Sequence, residues 1–124
     1  FNEKKANEQL KAHAHFKMRE VAYFLQRIHE GEDNREANGR SILENTMLTI
    51  STESGDGRHN DVKRELSGVF HAISGANGRF KTGEIVDARS EGIDVYNTML
   101  GAMRVRGRLG PEDRKHENVD QIMA

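Results

Sequence analysis

Leu10, Ala14, Met18, Val21, Leu25 and Ile28 recur at steps of four and three, which puts them on one stripe and predicts an amphipathic helix over 6–30. Tyr23 and Phe24 widen the stripe, and Gly31 with the acidic Glu32-Asp33-Asn34 segment ends the helix in a loop that runs to Gly39-Arg40. The pattern then changes. Ile42, Leu43, Met47, Leu48 and Ile50 are interleaved with threonines, with no Gly or Pro between Ser41 and Ser54, and predict a buried strand in the first half of 41–60. A polar turn follows at once and concentrates Glu53, Asp56, His59, Asn60 and Asp61.

Downstream, Val62 and Leu66 suit a short helical turn near 61–65. Val69, Phe70, Ala72 and Ile73, bounded by Gly68 and Ser74-Gly75, predict a second strand. The Asn77-Gly78 pair favours positive φ and a reversal, after which Phe80, Ile85 and Val86 predict a third strand over 79–87, broken by Gly83. Ile93, Tyr96, Met99, Leu100 and Met103 form a helix face, with Asp94 in the first turn where the dipole favours an acid, and Gly107 and Gly110-Pro111 closing it. Val119, Ile122 and Met123 then predict a short segment docked on the body. This order suits part of a layered α/β domain better than a bundle or a barrel.

Length makes 1–124 a single domain, but the composition is lean for a self-sufficient core: 35% of residues are apolar, seven are aromatic and none is Trp, and the mean hydropathy is −0.81. Either a marginal domain or a core completed by another segment or a partner chain is therefore expected. The formal charge of −1 leaves no whole-chain field for nucleic acid, and the basic cluster Arg104, Arg106, Arg108, Arg114 and Lys115, interrupted by Glu112 and Asp113, reads as a solvated face. No cysteine is present for disulfide or thiol chemistry, and no apolar run approaches the roughly 20 residues of a membrane span. The sequence begins at Phe1 without a basic-then-apolar leader, as expected of a processed product or the tail of something longer.

Glu53, Asp56 and His59 offer hard oxygens and an imidazole that suit a divalent cation if they converge; a solvated surface turn is the alternative. The stretch 75–83 has glycines and a Lys81-Thr82 pair, but Phe80 stands where a phosphate loop needs glycine, so a structural reversal is expected. His13 and His15 lie two apart, on different helix faces. His71, inside an apolar strand, is expected to be a hydrogen-bonded core histidine, and His29 and His116 have no partner to name. Neither Ser51 nor Ser54 sits in a nucleophile elbow.

The Ala-Tyr-Phe-Leu-Gln-Arg-Ile helix end, the Gly-Arg-Ser-Ile-Leu-Glu-Asn-Thr strand entry, the Ser-Thr-Glu-Ser-Gly-Asp-Gly-Arg-His-Asn loop and the Ser-Gly-Ala-Asn-Gly-Arg-Phe-Lys-Thr-Gly turn occur in this order. Together, over roughly residues 16 to 105, they resemble the C-terminal part of a group of exported, planctomycete-type bacterial proteins of unassigned function, similar to the alkaline phosphatase and sulfatase superfamily. The resemblance implies the C-terminal portion of a layered alkaline-phosphatase-like sheet-and-helix fold, an exported or periplasmic location and a missing N-terminal segment or partner chain. It also implies that Glu53 and His59 would contribute to a divalent metal site of an ester hydrolase. The superfamily commonly has Asp-His-Gly directly after the strand, where this chain has Glu-Ser-Gly with the histidine later. A non-catalytic binding or assembly module of the cell envelope is the other expectation.

Overall fold

The computed structural model describes residues 2–52 and 69–124, and the chain divides into two compact units, 1–46 and 47–124. It is mixed helix and sheet, α/β in the broad sense, and the sheet among the described residues is one antiparallel pair of strands.

The first unit is built on α1, Glu3–His29, close to the helix its periodicity predicts. Asn2 caps its start by accepting from the Lys5 N–H at 3.1 Å. The Asn34 side chain, from the 3-10 turn Glu32–Asn34, donates to the Arg27 and Glu30 carbonyls at its other end. Val21, Leu25 and Ile28 are half-buried, whereas Leu10 and Phe16 are 67% and 60% exposed.

The strand predicted from Ser41 is absent at its start: Ile42–Asn45 is a one-turn helix, α2, packed on α1. The cause is local. Ser41 and Glu44 form a capping box in which Ser41 Oγ accepts from the Glu44 N–H at 3.2 Å and Glu44 Oε2 accepts from the Ser41 N–H at 2.7 Å. His29 Nδ1 lies 2.9 Å from the same, fully buried Ser41 hydroxyl and ties the end of α1 to α2.

In the second unit the strand survives as β1, Thr49–Ser51, which pairs with β2, His71–Ile73, in the register Thr49 to Ile73, Ile50 to Ala72 and Ser51 to His71. Ser74 extends the pairing through Leu48, accepting at its hydroxyl from the Leu48 N–H at 2.7 Å and donating its own N–H to the Leu48 carbonyl. The reversal at Asn77-Gly78 is present, with φ of 59° and 79°, and the Arg79 N–H donates back to the Gly75 carbonyl at 2.8 Å.

The third strand expected over 79–87 does not form. Phe80 makes a single bridge to Met123, Gly83 turns the backbone to φ 75°, and Ile85 stands fully exposed. The helix after it, α3, is Gly92–Ala102. It ends before the glycines expected to close it, in a Schellman turn with Arg104 at φ 57°: the Arg104 N–H bonds the Gly101 carbonyl and the Val105 N–H that of Leu100. Ala76, Phe80, Val95, Met99 and Val119 make the buried core, with Met47, Ile73, Tyr96, Ile122 and Met123 packed around it.

Candidate functional site

Glu53 and His59, the pair expected at a metal site, lie outside the described residues together with Asp56, Asn60, Asp61 and the expected helical turn at 61–65. The residues flanking that stretch are described. The Thr52 N–H donates to the Phe70 carbonyl at 3.3 Å and the Phe70 N–H to the Thr52 hydroxyl at 3.4 Å, so these two residues are joined at the end of the β1–β2 pair.

Ser51 and His71 face each other at that end. Ser51 Oγ lies 3.0 Å from the Tyr96 hydroxyl on α3, and the Tyr96 ring meets His71 edge to face at 5.2 Å between centroids. His71 departs from expectation. Both its ring nitrogens are shielded from solvent and, among the described residues, have no hydrogen-bond partner; burial holds its pKa below the usual imidazole value. Gly92, one turn before Tyr96, leaves room for the ring: a Cβ there would sit 3.4 Å from Nε2.

A second polar cluster, which spacing alone did not reveal, fastens residues 109–119 to α3. Asp94, 6% exposed, receives both prongs of Arg114 at 3.0 and 2.9 Å, while Glu91 accepts from the same guanidinium at 3.0 Å. These bonds make Arg114 an exception within the basic cluster read as a solvated face. The Arg114 hydrogen bond holds the Asp94 carboxyl below its ordinary range. His116 Nδ1 lies 3.1 Å from Asn97 Nδ2 and 3.9 Å from Asp94, so this histidine has partners after all.

Asn97 grips Leu109 at both its carbonyl and its N–H, 3.1 and 2.7 Å. Thr98 donates to the Asp94 carbonyl and accepts from the Val119 N–H at 2.9 Å. Gly110 closes the arrangement because only a hydrogen fits: a Cβ would come within 2.7 Å of Ile93, and φ is 101°. Beside the cluster lies a cavity of about 480 Å³ lined by Arg89, Glu91, Asp94, Arg114, Lys115 and Glu117 among others. Its three cations are each paired with an acid, Arg89 with Asp87, Arg114 with Asp94 and Lys115 with Glu117, which is the chemistry of a fastening and leaves no unpaired cation for a ligand.

Among the described residues no group of three or more His, Asp or Glu is arranged to hold a metal ion, and no helix is long and apolar enough to cross a membrane. Comparison with protein-family models, curated proteins and solved structures found no match to this chain.

Proposed function

We propose that this chain is part of a phosphatase-like or sulfatase-like exported protein, in which Glu53 and His59 help hold a divalent cation that polarises an ester oxygen of a phosphate or sulfate. The observation that supports this reading is the pairing of Thr52 with Phe70 at the end of the β1–β2 pair, these residues standing before and after the stretch of sequence that bears both. A carboxylate and an imidazole suit a divalent cation by donor chemistry, and the cation would act as a Lewis acid. In this reading the other donors come from the segment or partner chain that completes the fold.

The second reading is a non-catalytic binding or assembly module of the cell envelope, and α1 favours it. This helix of 27 residues has no buried side chain and presents Leu10, Phe16, Met18, Tyr23 and Phe24 as exposed apolar surface. Assays with 4-nitrophenyl phosphate and 4-nitrophenyl sulfate on the native protein, with its associated segment or partner, separate the two. The hydrolase reading expects cation-dependent cleavage of at least one ester, abolished by Glu53→Gln and by His59→Ala with circular dichroism unchanged. Cleavage of neither ester, or turnover indifferent to both substitutions, leaves the binding module.

A further inference from the structure

We propose that His71 is a proton-operated latch between the β1–β2 pair and α3: uncharged, it lets the helix seat on the strands, and proton uptake loosens that seat. The ring occupies the contact itself. It stands on β2 opposite Ser51, meets Tyr96 of α3 edge to face, and is flanked by Gly92, whose missing side chain admits it. Among the described residues no hydrogen bond is in place that would stabilise a charged ring. The Tyr96 and Ser51 hydroxyls are 3.0 Å apart and engage each other, and neither ring nitrogen has an acceptor among the described residues.

Among the described residues the other charged groups near this contact are Lys81 and Glu84, which line with His71 a cavity of about 260 Å³, and Glu91 at the start of α3. The described residues give none of their carboxylates a hydrogen bond to the ring. Among the described residues a proton added to this imidazole therefore meets no hydrogen-bonded counter-charge, which favours the conformation that exposes it. The burial that lowers the His71 pKa works in the same direction.

The latch would open selectively. Asp94, held acidic by Arg114, stays ionised over the range in which imidazoles titrate, so residues 109–119 remain fastened to α3 while the contact with the strands loosens.

The sign follows from linkage. A histidine whose folded pKa is depressed takes up its proton preferentially in the open state, so its contribution to closure is full above the open-state value and is lost as pH falls below it, toward the folded value. His71→Phe keeps the aromatic ring and removes the titrating nitrogens. Denaturant unfolding of the full chain at pH 7.5 and 5.0 should show the wild-type unfolding constant rising on the order of tenfold more than that of the variant. Parallel pH profiles would overturn the latch. If His71→Phe does not fold, the wild-type protein still tests it by nuclear magnetic resonance. The His71 ring should titrate below free imidazole, in step with loss of amide protection in Tyr96 and Met99. A midpoint at or above free imidazole, or protection unchanged through the titration, contradicts the proposal.

Discussion

Asp94 and Arg114, twenty residues apart in the chain, meet in a two-pronged ion pair of 3.0 and 2.9 Å with the carboxylate buried against α3. Among its described residues the second unit has a small apolar core, and a charged pair with both oxygens engaged gives direction where hydrophobic packing gives little. Asp94→Asn should lower the melting temperature at pH 7 and expose amides of 109–119 to hydrogen exchange. The folded Asp94 carboxyl titrates below its ordinary value near 3.8. Its stabilisation is therefore present above that value and lost as pH falls through the depressed one. Wild type should show this acid step, and the variant should lack it.

Thr98 tests the same fastening without a charge. Its hydroxyl accepts from the Val119 N–H, and both residues are buried. Thr98→Val keeps the shape and leaves that N–H unpaired, so denaturant unfolding should show a loss of about 1–3 kcal/mol.

In the first unit the half-buried part of the α1 stripe should matter and the exposed part should not. Leu25→Ala is expected to cost about 1–2 kcal/mol, below a fully buried leucine because Leu25 is only half covered, and Leu10→Ala less than about 0.5 kcal/mol. Equal losses in urea melts would contradict this division of the stripe.

Arg104 offers a gain. It occupies the left-handed position that ends α3, where a side chain strains the backbone and glycine does not. Arg104→Gly should stabilise the protein by about 0.5–1 kcal/mol, read as a shift of the unfolding midpoint.

Where one element's own pattern decided the outcome, the sequence was readable. The three-and-four spacing of Val21, Leu25 and Ile28 marks α1, Asn77-Gly78 marks the reversal, and Tyr96 with Met99 marks α3. Ile42 and Leu43 misled because apolar neighbours do not distinguish a strand from a short helix; the Ser-x-x-Glu spacing from Ser41 to Glu44 was the available signal for α2. The third strand failed because, beyond the bridge at Phe80, residues 82–87 find no ladder to join among the described residues, a tertiary fact that Ile85 and Val86 do not encode locally.

The fastening on α3 left one trace in the sequence, Asp94 between two apolar residues on a helix, with Thr98 one turn later. Its partners Arg114 and His116 arrive through a loop, so their meeting could not be read from spacing. The basic run containing Arg114 looked uniformly solvated, yet Asp94 and Glu91 single that residue out. For His71 the apolar neighbours suggested a hydrogen-bonded core residue; the residue is half-buried with its ring nitrogens shielded, and whether a hydrogen-bond partner waits across the contact depends on α3, some twenty residues further along.

The most direct test of the proposed function is cation content after equilibrium dialysis against zinc, measured by elemental analysis on the native protein with any segment or partner that accompanies it. The account predicts retained metal in wild type, lost in a Glu53→Gln, His59→Ala double variant of unchanged circular dichroism. Metal at dialysis background in both, or retained equally by both, contradicts it.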